Sequence, residues 1–442
     1  MDDVHRKYLR AGADIITTNT FSSQRISQED YHLGDCCREI ALAGARLARK
    51  AADDFSTEEK PRFVAGSIGP TNKTCSMSPD VGDPASRDLT FDVLETAYAE
   101  QIDALIEGGV DAILIETIFD TLNAKAAIVA AMSVMERRGV KLPIMLSVTV
   151  SDMAGRTLSG QTLEAFLASV STYPIFSVGL NCSFGARQMK PYLKQLAQRP
   201  PYYVSAYPNA GLPDSLGNYD ETPETMVPQI AEFVDEGLVN IVGGCCGTTD
   251  KFIELYPAIV EGKVPRKPLS DYYGNASSIR LSGLDVLDVT PQIKFVNVGE
   301  RCNVAGSRKF LRLINEKNYT EALGIARKQV ADGALVIDVN MDDGLLDACA
   351  EMTTFLNMLS AEPDIARVPV MVDSSDWRVV LAGLKCLQGK SIVNSISLKE
   401  GEQVFLDHAR DAMRYGAAVV VMCFDEQGQA TTYDRRIAIA AR

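Results

Sequence analysis

Histidine is scarce in this chain, with only His5, His32 and His408 among 442 residues, all of them in polar stretches. A transition-metal site would therefore have to be built from sulfur, and thiolates favour zinc among the common metals. Long apolar runs are lacking as well. No stretch approaches the roughly 20 apolar residues that cross a membrane, so we expect no membrane partner.

Positive charge is also in short supply, since 44 Lys and Arg face 58 Asp and Glu, for a formal net charge of −14. This balance argues against nucleic acid or an anionic membrane as the partner. No signal-peptide pattern precedes the chain, and the ten cysteines lack the dense spacing of a secreted disulfide scaffold. We therefore expect free thiols and a cytoplasmic location.

Short apolar runs alternate with amphipathic helical patterns along the whole chain. The first set of predicted strands covers 13–21, 62–70, 111–119, 143–151, 176–183, 202–211 and 240–248. Helical patterns lie between them, for example over 91–109 and 225–237. Apolar strands separated by such helices predict a parallel sheet of βα units. Seven strands in this length fit a (β/α)₈ barrel that lacks one strand.

A stretch rich in Pro, Gly, Ser and Lys over 262–283 interrupts this alternation and is typical of a linker. Five further strands are then predicted at 294–303, 334–344, 368–375, 391–397 and 417–428. The predicted fold class is α/β, with two TIM-type barrels in tandem, the first without its first strand and the second without its last three. The predicted domains are 1–262, a linker over 263–290, and 291–442.

Three cysteines end two strands of the first barrel: Cys182 in GLNC, and Cys245–Cys246 in IVGGCCGT. Parallel strands bring such residues to one rim, and three thiolates with an open fourth position describe a catalytic zinc site. A lone cysteine is more often a small buried hydrophobe, which is the alternative for Cys182 by itself. Glu116 ends another strand and could hold an ammonium group, or it could be a carboxylate at a helix N-terminus.

The second barrel ends its strands with carboxylates and carboxamides. They suit a planar, amide-rich heterocycle such as a pterin, because they match its ring donors and acceptors. Magnesium binding and helix capping are the alternatives, and capping is plausible for Asp373 to Ser375. The residues concerned are Glu300, Asn303, Asp338, Asn340, Asp342, Asp373, Asn394 and Asp425.

Taken together, these motifs resemble the cobalamin-dependent methionine synthase family. The first half carries TNTF (18–21), GPTNKT (69–74), GLNC (179–182), YPNAGLP (207–213) and GGCCGTT (243–249), which are similar to its homocysteine-binding barrel. The second half carries NVGERCN (297–303), DVNMDDG (338–344), DSS (373–375) and NSIS (394–397), which are similar to its folate-binding barrel.

The resemblance implies roles for individual residues. Cys182, Cys245 and Cys246 would ligate zinc that activates homocysteine, with Glu116 and Asn19 contacting that substrate. Asn394 would assist at the pterin nitrogen that loses its methyl group, with Asp373 as its catalytic partner. Methyltetrahydrofolate would be the donor and methylcobalamin, held by a cobalamin-binding module, the carrier. The methyltetrahydrofolate site would be lined by Gly306, Ser307, Arg308, Asp338, Asn340, Asp373 and Asn394.

The chain also departs from the family pattern. Thr17 stands where that pattern has glutamate, and the predicted strands are fewer than two complete barrels need. We therefore expect a portion of a larger enzyme, in which folate binding is weak or absent. Two other functions stay open at this point: a folate-independent zinc thiol methyltransferase that uses a donor such as betaine, and an inactive fragment.

Overall fold

The computed structural model describes residues 1–198, 201–269 and 279–442, which form two compact units. The first unit comprises Met1–Lys73, Asp92–Ser159 and Pro174–Ala276, and the second comprises Thr74–Phe91, Gly160–Tyr173 and Ser277–Arg442. The α/β class that the sequence predicts is confirmed. Among the described residues, no helix is long and apolar enough to cross a membrane.

Seven parallel strands make the sheet of the first unit and pair in chain order. The strands are β1 (Ile15–Thr17), β2 (Phe63–Ile68), β3 (Ala112–Ile118), β4 (Ile144–Val148), β5 (Ile175–Gly185), β6 (Tyr203–Asn209) and β7 (Ile241–Val242). Each lies inside the range that the sequence predicts, except that β5 begins one residue early and runs two residues further. Ala65, Leu114 and Met145 form a buried cluster on neighbouring strands, which explains the apolar character of these runs.

The described α-helices of the first unit are α1 (Asp2–Arg10), α2 (Arg25–Gln28), α3 (Cys37–Phe55), α4 (Phe91–Glu107), α5 (Thr121–Arg138), α7 (Ala186–Ala197), α8 (Pro223–Asp235) and α9 (Asp250–Val260). Helix α6 (Leu163–Val170) follows β4 in the chain but belongs to the second unit. Capping residues set the ends of α5. Asp120 accepts hydrogen bonds from the amides of Leu122 and Asn123, and Gly139 ends the helix at a φ of 65°.

The second unit is built on five parallel strands, again paired in chain order. They are β10 (Val298–Asn303), β11 (Val336–Asn340), β12 (Val370–Asp373), β13 (Ile392–Ile396) and β14 (Ala418–Val421), preceded by the antiparallel hairpin β8 (Ile279–Ser282) and β9 (Val286–Val289). A small hairpin, β15 (Phe424–Asp425) and β16 (Gly428–Gln429), follows β14. Its helices are α10 (Arg308–Asn315), α11 (Tyr319–Ala331), α12 (Ala348–Ser360), α13 (Pro363–Ala366), α14 (Trp377–Leu384), α15 (Glu402–Arg414) and α16 (Tyr433–Ala441).

The hairpin β8–β9 lies in the segment predicted as a linker, of which residues 270–278 fall outside the described residues. Leu281 of the hairpin packs with Val336 and Ile392, which are the first residues of β11 and β13. The hairpin therefore covers the end of the sheet where the strands start. Functional side chains are therefore expected at the opposite end of the sheet, where the parallel strands finish.

Candidate functional site

Three sulfur atoms meet where β5 and β7 end. The Sγ atom of Cys246 lies 3.8 Å from that of Cys182 and 3.9 Å from that of Cys245. Among the described residues, these three form the one group of His, Cys, Asp or Glu whose ligand atoms all lie close enough together to hold a metal ion. The convergence that the sequence predicts is therefore present. We call these three residues the sulfur cluster.

The backbone is specialised on both sides of the sulfur cluster. Cys182 and Ser183 have φ values of 61° and 60°, a left-handed conformation that is uncommon outside glycine and that turns the end of β5. Gly247 has a φ of 79°. A Cβ on Gly244 would lie 2.4 Å from Thr248, so this turn needs glycine for space.

Two buried asparagines hold the cysteine-bearing segments in place. Asn181 donates to the hydroxyl of Thr117 (2.9 Å) and lies 3.8 Å from the sulfur of Cys245. Its Oδ1 accepts from the Ser147 hydroxyl (2.7 Å) and the Thr117 amide (3.1 Å). The Oδ1 of Asn209 accepts from the backbone amide of Cys246 (3.1 Å). The sequence places both asparagines at strand ends, but their partners come from distant strands and could not be predicted.

The electrostatics of the sulfur cluster favour one thiolate even without a metal. The neighbouring Cys245 thiol, together with the backbone amide of Ser183, lowers the pKa of Cys182 to about 5. The proximity of Cys182, together with burial, raises the pKa of Cys245 well above its usual range. The two thiols therefore do not ionise independently of each other.

Glu116 lies within β3 and is mostly buried. Its Oε1 accepts from the Ser67 hydroxyl at 2.5 Å, and burial raises the pKa of its carboxyl, helped by the charge of Cys182. The alternative that Glu116 sits at a helix N-terminus does not apply, since Asp120 caps α5. A small cavity adjoins Glu116 and is lined in part by Tyr98, Phe119 and Asn123.

Asn19 and Thr17 lie on the exposed surface at the end of β1. In the described part of the chain, no hydrogen bond joins Asn19 to Glu116 or to the sulfur cluster. The buried neighbours Thr18 and Thr20 bond to each other instead (2.6 Å), and Thr20 donates to the carbonyl of Ser67. A substrate role for Asn19 therefore stays a prediction.

Four polar residues lie side by side in the second unit. Asn303 pairs with Asn340, Asn340 with Asp373, and Asp373 with Asn394 in the parallel register of β10 to β13. We call this set the amide–carboxylate row. The Nδ2 of Asn340 donates to Oδ2 of Asp373 at 3.1 Å. Four sequence-predicted residues thus stand at one height at the carboxyl ends of adjacent strands.

Asp338 lies on β11, two residues before Asn340, and is only 2% exposed. Its Oδ2 is 3.4 Å from the amide nitrogen of Asn394, and its Oδ1 is buried without a hydrogen-bond partner. Burial, with the nearby carboxylates of Asp373 and Glu300, raises the pKa of Asp338 to about 7. Burial likewise raises the pKa of Asp373, against the opposing effect of the Asn340 amide. The unpartnered oxygen is an acceptor, or when protonated a donor, that a ligand could satisfy.

The loop after β10 holds the remaining predicted folate-site residues. The amide of Gly306 donates to Oδ1 of Asn303 (2.7 Å), which joins the loop to the amide–carboxylate row. The Ser307 hydroxyl accepts from the Phe310 amide and caps α10, which begins at the exposed Arg308. The loop is therefore adjacent to the row, with Ser307 occupied as a cap.

Magnesium binding and helix capping are the alternatives for the polar residues of the second unit. In the residues that the structure covers, no three of these carboxylates bring their oxygens together as a metal site would require. The Asp376 side chain caps α14, so Asp373, Ser374 and Ser375 are not that helix's N-cap. Asp425 lies in β15 and pairs with Arg435 at 2.5 Å. Helix capping therefore does not account for these strand-end residues.

Comparison with known proteins agrees with both halves of this description. The homocysteine S-methyltransferase family matches residues 1–258, and the pterin-binding enzyme family matches residues 299–441. The chain is thus a methyltransferase with a pterin-binding region. It belongs to the homocysteine S-methyltransferase family.

Solved structures similar to this chain include two forms of the homocysteine methyltransferase MmuM from Escherichia coli. The metallated form is 20% identical in sequence, and the match has a TM-score of 0.46. It covers 58% of this chain and 83% of the MmuM chain. The apo form is also 20% identical, with coverages of 58% and 84% and a TM-score of 0.43. A 2,3-dimethylmalate lyase is 14% identical, with coverages of 58% and 74% and a TM-score of 0.31.

Proposed function

We propose that this chain carries the homocysteine and folate sites of an enzyme that makes methionine and tetrahydrofolate. In this proposal the methyl group passes from methyltetrahydrofolate to cobalamin, held by a separate cobalamin-binding module, and then to homocysteine. Each parallel sheet would be part of a (β/α)₈ barrel. The ten cysteines, none in a disulfide, suit a reducing cytoplasm.

The observation that carries the proposal is the spacing of the sulfur cluster. A tetrahedral zinc with Zn–S bonds of about 2.3 Å sets its sulfur ligands about 3.8 Å apart. Two of the sulfur–sulfur distances here are 3.8 and 3.9 Å, and all three sulfur atoms lie within 4.8 Å of one another. Cys182, Cys245 and Cys246 would hold the metal and leave one position for a substrate thiol. Zinc bound there would supply Lewis acidity that lowers the pKa of that thiol.

Glu116 would bind the other end of the amino-acid substrate. A mostly buried carboxylate that bonds Ser67 is well placed to receive an ammonium group, because the pair neutralises two charges in a poorly solvated site. Without substrate, burial raises the pKa of Glu116, and a bound ammonium would reverse that shift. Glu116 would thereby orient the thiol towards the sulfur cluster.

The amide–carboxylate row would bind the pterin ring. Asp373 and Asp338 would accept hydrogen bonds from ring N–H and exocyclic amine groups, as carboxylates do with planar amidine-like edges. Asn394 would assist at the nitrogen that loses the methyl group. Asp338, with a pKa of about 7 and an oxygen 3.4 Å from the Asn394 amide, would hold the proton that this nitrogen takes up.

Calorimetry on the zinc-loaded protein tests the homocysteine site. Titration with L-homocysteine in buffers of different ionisation enthalpy should reveal the release of about one proton per site, because the bound thiol loses its proton. L-Methionine, which has no thiol, is the control ligand, and Cys36→Ser is the control variant for Cys245→Ser. Proton-neutral binding of homocysteine would argue against a metal-activated thiol.

Methyl donors separate the folate route from the betaine-type alternative. The number of strands alone predicts weak or absent folate binding. Because the pterin-site residues lie on β10 to β13, we propose instead that methyltetrahydrofolate binds saturably and that Asp373→Asn weakens this binding by about tenfold or more. Betaine should neither bind nor support methylation of homocysteine. Methylation by betaine, with no binding of methyltetrahydrofolate, would establish the alternative.

A further inference from the structure

Asp342 stands just beyond β11 and takes three hydrogen bonds from a turn that follows β12. Its Oδ1 accepts from the Ser374 hydroxyl (2.5 Å). Its Oδ2 accepts from the amide (2.7 Å) and the hydroxyl (2.8 Å) of Ser375. We call Ser374 and Ser375 the serine turn. Both oxygens of this partly buried carboxylate are therefore engaged with residues immediately after Asp373.

The backbone of Asp342 fixes a second residue of the amide–carboxylate row. Its amide donates to Oδ1 of Asn340 at 2.9 Å. Since the oxygen of that side chain is held by an N–H donor, the nitrogen must point the other way. It does so, donating to Oδ2 of Asp373 at 3.1 Å. The orientation of the Asn340 amide thus depends on the position of the backbone amide of Asp342.

These contacts close a ring between two neighbouring strand ends. Beginning at Asp373, the ring passes through the serine turn to the carboxylate of Asp342, through its amide to Asn340, and back to Asp373. The Ser374 hydroxyl also accepts from the Asp376 amide (3.0 Å), which ties the ring to the start of α14. Charge-assisted hydrogen bonds from a carboxylate to amide and hydroxyl donors are among the stronger ones in proteins.

The neighbouring Asp343 makes a different kind of contact. Its Oδ1 accepts from the amide of Leu345, two residues along, which closes a local turn. Asp342 and Asp343 have the same side chain, adjacent positions and similar exposure. Only Asp342 joins β11 to the serine turn in the described contacts, so Asp343 provides a matched control.

We infer that Asp342 is a positioning residue for the pterin site: it holds Asp373 and the Asn340 amide in their binding orientation without itself contacting the ligand. This inference rests on the proposed folate function, because that function is what makes the amide–carboxylate row a pterin site. The positioning of Asp373 can be measured without any ligand, so the two ideas can fail separately.

Pterin binding is the first measurement, made on the full chain with methyltetrahydrofolate as the probe. In Asp342→Asn one carboxylate oxygen becomes an N–H₂ group, which cannot accept from the serine turn. We expect the Kd to rise about tenfold in Asp342→Asn and more in Asp342→Ala, and to stay within about twofold in Asp343→Asn. An unchanged Kd in Asp342→Asn, with binding by the wild type, would overturn the inference.

The pH profile of binding distinguishes positioning from general damage. Asp342, Glu300 and Asp338 are the acidic groups around Asp373, and the negative charge of Asp342 raises the pKa of Asp373. Removing that charge should move the pH midpoint of binding to lower pH in Asp342→Asn but not in Asp343→Asn. A variant that was merely less well folded would bind more weakly at every pH with the same midpoint, and that result would overturn the inference.

Hydrogen exchange tests the positioning of Asp373 without any ligand. The amide of Ser375 should exchange at least tenfold faster in Asp342→Ala than in the wild type or Asp343→Asn, because it loses its acceptor. Wild-type protection in Asp342→Ala would overturn the inference even if pterin binds. If the wild type fails to bind methyltetrahydrofolate while exchange at Ser375 responds as expected, the proposed folate function is wrong and the positioning of Asp373 by Asp342 stands.

Discussion

Single residues next to the reactive groups determine how those groups are oriented in both units. Asn181 bonds Thr117 and Ser147 on neighbouring strands while its nitrogen reaches the sulfur of Cys245. Asp342 holds the segment after Asp373 in a similar way. In each case a polar side chain with several hydrogen-bond partners fixes a neighbouring residue, which is how binding sites are kept close to their working geometry.

Among the single residues, Asp338 gives the clearest dependence of the free energy of unfolding on pH. Its pKa of about 7 in the folded protein exceeds the value of about 3.9 in an unfolded chain, so the folded state binds the proton more tightly. Its contribution to stability is complete below about pH 4 and is lost as the pH rises towards 7. Asp338→Asn should therefore raise the free energy of unfolding by about 2–4 kcal/mol at pH 8, with a smaller gain at pH 5.

Thermal unfolding at pH 5 and pH 8 measures this difference. The matched control is Asp332→Asn, since Asp332 is an exposed partner of Lys328 and such pairs contribute little. Equal effects of Asp338→Asn at the two pH values would mean that Asp338 is ionised throughout this range in the folded protein.

The residues of the sulfur cluster could be predicted from sequence because strand ends and cysteines are local features. The left-handed φ of Cys182 and the bonds of Asn181 could not, since the bonds of Asn181 join residues 34 and 64 positions away in the chain. The hydrogen bonds of Asp342 could not be predicted for the same reason, since its partners are the distant Ser374 and Ser375.

Among the structural elements, the turn after β7 determines whether two neighbouring cysteines can point to one place. Gly244 approaches Thr248 so closely that a methyl group would lie 2.4 Å from its Cγ2 and Oγ1 atoms. Thr248 in turn donates to the carbonyl of Cys245 (2.7 Å). We expect Gly244→Ala to displace Thr248 and open the sulfur cluster.

Metal retention during dialysis against a mild chelator would report this change. Gly244→Ala should lose zinc at least tenfold faster than the wild type. Gly324→Ala is the control, because nothing lies within 4 Å of the added methyl group and alanine favours the helix there. Equal zinc loss from both variants and the wild type would mean that the turn accommodates the methyl group.

Parallel strands were predictable as elements because burial on both faces makes them continuous apolar runs. The hairpin β8–β9 was not, because its strands IRLS and VLDV are four residues long and partly polar, in a segment rich in turn-forming residues. Leu281 packs against Val336 and Ile392, which lie 55 and 111 positions further along the chain. A short strand of this kind carries too little periodicity to be recognised.

At the scale of the whole molecule, the second unit includes two segments from early in the chain, 74–91 and 160–173. Arg87 and Ala85 bond to Asn357, and Glu164 of α6 pairs with Arg280 of β8 at 2.9 Å. Seven of the eight residues of α6 are buried, and Glu164 is the exception. The predicted domain boundaries, 1–262 and 291–442, follow chain order and stay a prediction.

This grouping predicts that residues 279–442 alone are less stable than the same residues in the full chain. Without α6, the hairpin β8–β9 loses the bonds that Gln161, Glu164 and Ser169 make to it, and its apolar surface is exposed. Limited trypsin digestion should cleave the isolated segment much faster at Arg367 and Lys390, whose backbones bond the residues of the hairpin and its turn. Equal protection in the two proteins would show that the early segments add nothing to this unit.

Zinc content tests the central claim of this account most directly. Purified full-length protein should carry about one zinc per chain, measured by elemental mass spectrometry. Cys245→Ser should lose it, because only two thiolates remain. Cys36→Ser, a partly exposed cysteine outside the sulfur cluster, should keep it. Equal zinc in the wild type and Cys245→Ser would contradict the assignment of Cys182, Cys245 and Cys246 as its ligands.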